Sequence, residues 1–272
     1  MKIEQLAINS VSTSGTVEEK LEAYSAAGFS NVEFALGQVH EWLNEGHTVS
    51  DLRALLQEHK LQCIGGFETG LQAFGDEESN TRNHAHIIDN ARLLGELGGT
   101  ILVVGTDGPG DGSTLDPIAI LAQTFADVAT QIEPFGVTLC IEFNWSPIVK
   151  SLRTAAQIAR LSGASNVGVL FDPAHYHCTP TKFEELNAHN VAWIKHVHVD
   201  DMRDKPGELS NCNSDRVLPG AGCLNLAAIF ETIERHGYTG YFSIEMFSDE
   251  LWNLSPHEAT ARMYTSLQPL CQ

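Results

Sequence analysis

Four side chains that can bind a metal ion lie at the ends of four successive apolar runs in the second half of the chain. The runs TLCIEF, VGVLFD, IKHVHVD and YFSIEMF finish at or near Glu142, Asp172, His198 and Glu245. Three carboxylates meeting at one place would repel one another unless a positive charge lay among them. A divalent metal ion suits this set of oxygen ligands with one nitrogen, and Mn²⁺, Mg²⁺, Co²⁺ and Zn²⁺ all tolerate it. Taken singly, each residue could also be a loop cap, a salt-bridge partner or a packed histidine.

The elements that must bring these residues together are short apolar runs that alternate with longer amphipathic ones. Eight such strand–helix units predict parallel strands and, at this length, a single-domain α/β protein, one (β/α)8 TIM barrel over residues 1–272. The active site of such a barrel lies at the C-terminal ends of its strands, here strands five to eight. An open doubly wound sheet is the alternative, but residues 9–16 lack its glycine fingerprint. We predict strands at 3–8, 32–36, 61–67, 100–104, 138–143, 167–171, 194–199 and 241–246, and helices at 16–28, 51–59, 82–97, 116–132, 154–161, 183–188, 226–236 and from 255.

Side chains alternate along a strand, which tests whether the four candidates can share the barrel interior. If Glu142 points inward, Cys140 does too, and the bulky Leu139, Ile141 and Phe143 face the helices. In the other strands the same rule places Ser243, His196 and Asp200 on the inner face and the apolar residues outside. The four candidates are therefore expected to converge at the barrel mouth.

The composition narrows the classes of function. The 272 residues carry 16 Lys+Arg against 35 Asp+Glu, a formal net charge of −19, so no basic face is expected for nucleic acid or an anionic membrane. No apolar run approaches the roughly 18 residues of a membrane span, and MKIEQLAINS is unlike a signal peptide. The six cysteines form no CxxC pair, which favours reduced thiols and a cytoplasmic location. A small molecule is the expected partner.

The local sequences around the four candidates resemble those of the xylose isomerase-like barrels, the sugar phosphate isomerase/epimerases. These sequences are IEFN at Glu142, FDPAHYH at Asp172, HVHVDD at His198 and SIEMF at Glu245, and segment 215–259 is particularly similar to the inosose (2-keto-myo-inositol) isomerases of inositol catabolism. The resemblance implies one divalent metal ion held by these four residues. It also implies substrate contacts from His175 and Arg216, and it is compatible with a homo-oligomer.

One position departs from part of this superfamily. Ketose 3-epimerases carry a second glutamate six residues beyond the first metal ligand, where this chain has Ile148. The departure favours the inosose-like branch over an epimerase of free ketohexoses.

Several further residues are weaker candidates. Glu33 and Glu68 are predicted to end strands two and three, where they would bind substrate hydroxyls or remain solvated. His177 is a candidate for the pocket or an exposed loop residue, and Trp252 either walls the substrate site or packs. His196, one layer below His198, is a candidate to orient it.

Two loops carry unusual compositions. The 200–222 connection is long for a βα loop and contains Arg203, Lys205 and Arg216, so it is interpreted as a lid that complements an acidic mouth. The glycine-rich 105–112 stretch lacks the Lys-Ser/Thr ending of a phosphate-binding loop and is interpreted as flexible.

These residues predict proton abstraction next to a carbonyl on a keto-sugar or keto-inositol. The metal would stabilise an enediolate, Glu142 and Glu245 would move the proton, and His175 would orient or shuttle a hydroxyl proton. Arg216 would hold an oxygen of the substrate. The same enediolate could lead to isomerisation, epimerisation or dehydration. The alternatives from other classes are a three-zinc DNA-repair endonuclease resembling the apurinic-site enzymes, which the charge disfavours, and a non-catalytic binding barrel.

Overall fold

Eight parallel strands close into a barrel in the computed structural model of the chain, which describes residues 1–110 and 116–271. Each strand pairs with its neighbours in sequence, and β1 closes the ring by pairing with β8. The predicted TIM barrel is therefore confirmed. The strands are β1 (Leu6–Asn9), β2 (Asn31–Ala35), β3 (Gln62–Phe67), β4 (Ile101–Val104), β5 (Thr138–Glu142), β6 (Val167–Phe171), β7 (Ile194–Val199) and β8 (Phe242–Ile244).

Helices surround the barrel and begin at the capping residues that the sequence supplies. Thr16, Asp76 and Ser255 each accept a backbone N–H three residues later, and Thr16 forms a capping box with Glu19. The helices are α1 (Val17–Ala27), α2 (Leu36–Asn44), α3 (Val49–Glu58), α4 (Glu77–Leu97), α5 (Pro117–Ile132), α6 (Leu152–Ser162), α7 (Pro173–Cys178), α8 (Ala188–Val191), α9 (Leu226–Arg235), α10 (Asp249–Trp252) and α11 (Pro256–Leu267).

Among the local predictions that were wrong, three have a clear physical reason. The first predicted strand is shorter, because Ile3–Gln5 forms a 3₁₀ turn in which the Gln5 side chain accepts the Lys2 N–H and donates to Gly240 O. Helix α2 follows β2 directly and was missed, since Ala35 provides no side-chain cap to signal its start. The single helix predicted at 183–188 is instead a 3₁₀ turn (Phe183–Glu185) followed by α8.

The barrel interior is divided into an apolar side and a charged side. The apolar side comes from β4, β5 and β6, where Ile101, Val103, Cys140 and Leu170 form a cluster with Phe67 packed against it. The charged side comes from β2, β7 and the segments after β6 and β8. The outward residues of β5, β7 and β8 pack in the main core instead, as the alternation predicted: Leu139, Ile141, Phe143, Val197, Val199, Phe242, Ile244 and Met246.

Other parts of the chain bear on the weaker predictions. Among the described residues, no helix is long and apolar enough to span a membrane. Of the glycine-rich stretch, residues 105–110 are described and 111–112 lie outside the described residues. The described part is organised around Asp107, whose carboxylate accepts the N–H groups of Ala73 and Phe74.

Candidate metal centre and substrate cavity

A cavity of about 550 Å³ opens at the C-terminal ends of the strands. Its wall includes five residues that the sequence singled out: Glu142, His175, His198, Arg216 and Glu245. Glu68 contributes to the opposite wall together with Phe67. The structure thus brings the main predicted site residues together in one place.

Asp172, His198 and Glu245 form the centre of the site. Each offers one ligand atom, and these atoms lie within 4.8 Å of one another. His198 Nδ1 is 3.3 Å from Asp172 Oδ2 and 3.2 Å from Glu245 Oε2, and all three residues are buried. Two buried carboxylates and an imidazole nitrogen that face one point fit a divalent cation.

Glu142 joins this centre through His175. His175 Nε2 lies 3.3 Å from Glu142 Oε1 and 4.0 Å from Asp172 Oδ2. Burial alone would lower the pKa of His175, but the charges of Asp172 and Glu142 hold it well above the usual range. Asn144 donates to the other oxygen of Glu142 at 2.8 Å, so the Glu142 side chain is held from both sides.

Arg216 lies among the acids of the site. Its Nη1 is 2.9 Å from Glu245 Oε2, and its Nη2 is 3.0 Å from Asp172 Oδ2. The guanidinium carbon also lies 5.1 Å from the centre of the Phe247 ring. Because Arg216 is 3% exposed, these contacts form in a region of reduced dielectric constant, where they are stronger than on the surface. Burial would raise the pKa of Asp172, but Arg216 holds it well below the usual range.

The backbone position of Arg216 is set by a short antiparallel pair in the connection after β7. Asp201–Met202 pairs there with Arg216–Val217, and we call this pair the β7 hairpin. The carboxylate of Asp201 accepts four backbone N–H groups, those of Met202, Gly220, Gly222 and Leu224. One buried carboxylate therefore organises the turn that follows Arg216. The prediction that the 200–222 connection acts as a lid stays a prediction.

Glu33 lies deeper than the sequence indicated. It does not end its strand as predicted, because β2 continues to Ala35, and its carboxylate is 0% exposed. Its Oε2 lies 3.0 Å from His196 Nε2 and 3.2 Å from His198 Nε2. Burial would raise the pKa of Glu33, but these two imidazoles hold it well below the usual range. Glu33 therefore holds His198 in place from below, instead of lining the cavity.

The contacts of His198 identify the nitrogen that faces the cavity. Its Nε2 points to Glu33 and its Nδ1 to Asp172 and Glu245. Donation of the Nε2–H to Glu33 leaves Nδ1 as the atom available to a cation. Sequence spacing placed His196 below His198 and missed Glu33 as their common partner.

Two further polar residues were not among the predicted site residues. Asp200 is 0% exposed and its Oδ2 lies 2.8 Å from Arg216 Nη1. Burial and the charge of Asp172 raise the pKa of Asp200 well above the usual range. Asn9, at the end of β1, donates to Glu245 Oε1 at 3.0 Å. The alternation in HVHVDD already placed Asp200 inward, whereas no motif marked Asn9.

The remaining candidates lie around this site and have other contacts. The His177 imidazole lies 2.8 Å from Lys205 O, so it fixes the connection after β7 and does not line the described cavity. The Trp252 indole donates to Val11 O at 2.8 Å, and Trp252 is not among the residues that line the described cavity. Lys205 pairs with Asp215 at 2.8 Å, and Arg203 lies 4.0 Å from that carboxylate. Of the three cations in this connection, Arg216 is therefore the one on the cavity wall.

Comparison with known proteins identifies relatives of the chain. The sequence pattern of the family described as "Xylose isomerase-like TIM barrel" matches residues 21–268. An inosose isomerase of Bacillus velezensis is 26% identical over 267 residues, which cover 93% of this chain and 92% of the relative. Matches to other inosose isomerases span as little as 45% of the relative's length. A 3-dehydroshikimate dehydratase of Pseudomonas aeruginosa is 27% identical over 90% of this chain and 38% of its own.

A solved structure supports the same fold. The crystal structure of the IOLI protein with a bound zinc atom superimposes with a TM-score of 0.88 at 22% identity. The superposition covers 98% of this chain and 97% of the other. The relatives therefore include both isomerases and dehydratases, and one structural neighbour holds a metal ion.

Proposed function

The chain belongs to the xylose isomerase-like TIM barrel family, and from that premise we propose that it is a divalent-metal-dependent isomerase or epimerase of an uncharged keto-polyol of the inosose kind. One observation carries this proposal. The buried ligand atoms of Asp172, His198 and Glu245 lie within 4.8 Å of one another, and Glu142 and His175 lie beside them on the wall of one cavity. No other part of the described chain combines buried acids, imidazoles and a cavity of this size.

The metal ligands in this proposal are Glu142, Asp172, His198 and Glu245. When bound, a divalent cation supplies electrostatic stabilisation for the negative charge that develops on the substrate oxygens. Mn²⁺, Mg²⁺, Co²⁺ and Zn²⁺ are all compatible with these ligands. The zinc atom in the IOLI structure supports a divalent cation without selecting among them for this chain.

The side chains of the site carry out the proton transfer and orient the substrate. Glu142 and Glu245 are the bases that remove the proton next to the carbonyl and return it to another position. Each is held in place, Glu142 by Asn144 and Glu245 by Asn9. His175, whose Nε2 lies 3.3 Å from Glu142 Oε1 on the cavity wall, orients a substrate oxygen or shuttles a hydroxyl proton. Arg216, paired with Asp172 and Glu245, offsets part of the negative charge of the site.

The charges on the cavity wall favour an uncharged substrate. Among the described lining residues, Arg216 is the one lysine or arginine, and its guanidinium already pairs with the carboxylates of Asp172 and Glu245. A substrate with its own carboxylate, such as 3-dehydroshikimate, would therefore meet a wall with no lysine or arginine left to pair with it. Hydroxyl groups suit the remaining polar lining, which includes Thr69, Thr106, Asn144 and Ser146.

Dehydration of a neutral keto-polyol is the alternative outcome of the same chemistry. It begins with the same proton abstraction and ends with the loss of a β-hydroxyl as water. The similarity of the chain to a 3-dehydroshikimate dehydratase and to an inosose dehydratase supports dehydration as the alternative. The two outcomes differ in product mass and are separated by the experiment that tests the proposal.

The experiment uses metal-stripped protein that is reloaded with each of the four cations in D₂O. Keto-inositols and neutral keto-sugars are offered, with 3-dehydroshikimate as the anionic comparison. We expect a product of unchanged composition with deuterium at the reacting carbon, from neutral substrates only. Loss of water from a neutral substrate would establish the dehydratase, and turnover of 3-dehydroshikimate alone would refute the proposal.

Two variants test the role of the site. Glu245→Gln removes a ligand charge and is expected to abolish activity and to weaken metal binding. Glu250→Gln is the matched control, because Glu250 is an exposed acid five residues away that pairs with Arg262 on the surface. Full activity and full metal content in Glu245→Gln would show that Glu245 is neither a metal ligand nor a catalytic base.

A further inference from the structure

A second group of metal-binding side chains lies on the other side of the barrel mouth. His40 on α2, Glu68 after β3 and His86 on α4 each offer one ligand atom, and these atoms lie within 4.8 Å of one another. In the order of the barrel, β3 is four strands from β7, which carries His198. Glu68 also lines the main cavity, so this group lies at its rim.

We propose that His40, Glu68 and His86 form a second cation site, for Zn²⁺ or a similar metal ion that prefers imidazole ligands. Two histidines and one glutamate are a known ligand set for zinc, which binds three protein groups and leaves a fourth position open. Mg²⁺ and Ca²⁺ prefer oxygen ligands and are disfavoured by the two imidazoles. None of the three residues was expected from the sequence to bind a metal ion.

The distances in this group are near those of a zinc site. Glu68 Oε2 lies 2.6 Å from His86 Nε2 and 3.7 Å from His40 Nε2. Ligand atoms about 2.0–2.1 Å from a tetrahedral zinc ion lie roughly 3.3 Å apart. The Glu68–His86 distance would have to lengthen by about 0.7 Å and the Glu68–His40 distance to shorten by about 0.4 Å for these atoms to surround a zinc ion. All three side chains are partly exposed, at 33%, 25% and 45%, so a cation can reach them from solvent.

Asn90 gives the group a fixed support. It is 1% exposed, and its Nδ2 donates to Glu68 Oε2 at 2.7 Å. Its Oδ1 lies 2.7 Å from His40 Nε2. Asn90 therefore holds the Glu68 carboxylate as outer groups hold the ligands of protein metal sites, whereas a cation bound at His40 Nε2 would replace the contact of that nitrogen with Asn90. Without a cation, the same contacts form a hydrogen-bond network. Measured binding of zinc separates a metal site from a hydrogen-bond network alone.

The zinc content of the metal-stripped protein after dialysis against excess zinc tests the proposal. We expect two zinc ions per chain in the wild type and one in His86→Ala. His84→Ala is the matched control on the same helix, because His84 Nε2 contacts the backbone oxygen of Gln72 and lies outside the group. It should keep two zinc ions. His40→Gln provides a second variant that should lose the same zinc ion, and circular dichroism checks that each variant is folded.

The variant Glu245→Gln separates this proposal from the proposed function. If it retains one zinc ion that disappears on adding His86→Ala, the second site is supported whatever the fate of the first. That remaining zinc ion should also raise the melting temperature, and His86→Ala should remove the rise. A wild type that binds one zinc ion, lost in Glu245→Gln and kept in His86→Ala, overturns the second site and leaves the proposed function standing.

Discussion

Replacing Glu33 by glutamine removes a buried negative charge with almost no change in side-chain volume. The Glu33 carboxylate contacts His196 Nε2 at 3.0 Å and His198 Nε2 at 3.2 Å, and it is fully buried. Because His198 directs its other nitrogen toward Asp172 and Glu245, Glu33 sets both the orientation and the basicity of the proposed metal ligand.

The expected loss follows from the strength of that contact. A hydrogen bond to a charged group contributes about 1.5–3 kcal/mol, against about 0.5–1.5 kcal/mol for a neutral one. The difference, about 1–1.5 kcal/mol, corresponds to roughly a tenfold weaker binding of the metal ion. Loss of an outer partner of a metal-bound histidine typically weakens metal binding by about 10–100-fold. We therefore expect the metal dissociation constant of Glu33→Gln to rise by at least about tenfold.

The dissociation constant can be measured by competition with a chromophoric chelator at pH 7.5. Ser243→Ala is the matched control, because Ser243 is equally buried inside the barrel and its hydroxyl has no hydrogen-bond partner among the described residues. Its metal affinity should be unchanged. A dissociation constant for Glu33→Gln that stays within about twofold of the wild type would refute the role assigned to Glu33.

Three further changes test other parts of the structure. Arg216→Lys replaces a planar guanidinium that pairs with Asp172 and Glu245 by a single point charge, and steady-state kinetics with the neutral substrate should show kcat/KM reduced by about 10–100-fold. Gly222→Ala places a methyl group 2.3 Å from Asp201 Oδ1, so urea unfolding should show a loss of about 1–3 kcal/mol. Burial lowers the pKa of Lys20 to about 8 from 10.5. Between pH 8 and pH 10.5 the unfolded chain therefore binds more protons than the folded chain. The free energy of unfolding should rise with pH across that window by about 3 kcal/mol at most. Lys20→Met should remove this rise.

Each of these tests has a result that would contradict it. Wild-type kcat/KM in Arg216→Lys would mean that the contacts in the structure do not support catalysis. Gly110→Ala is the comparison for the glycine variant, since a methyl group there meets no atom of the described residues within 4 Å. Equal losses in the two glycine variants would remove the explanation based on Asp201. Equal pH dependence in Lys20→Met and the wild type would remove Lys20 as its source.

Much of the fold could be predicted because it depends on local and periodic signals. The strand–helix alternation predicted the barrel, and the two-residue period of β5, β7 and β8 predicted which side chains point inward. The acids and the imidazole of the centre could be predicted for the same reason: parallel strands in a barrel end at one face, so residues far apart in sequence meet there.

The depth of a side chain within the barrel was harder to predict. Glu33 was expected to lie at the mouth of the barrel, but it lies two residues before the end of β2 and is fully buried. The contact between Glu33 and His196 joins residues 163 positions apart, and no sequence spacing encodes it. The same holds for the group of His40, Glu68 and His86, which depends on how α2 and α4 pack beside β3.

The uneven division of the barrel interior has a kinetic consequence. An apolar wall with Val103 and Phe67 faces the acids, and a wall of low dielectric constant concentrates their electric field within the cavity. The net charge of −19 extends the attraction into solvent. Divalent cations should therefore enter faster than neutral molecules, and their association rate should fall as salt shortens the screening length from about 30 Å at 0.01 M to about 10 Å at 0.1 M. The electric field of the barrel should therefore increase the association rate of the proposed metal ion, whereas the proposed uncharged substrate should associate without this increase.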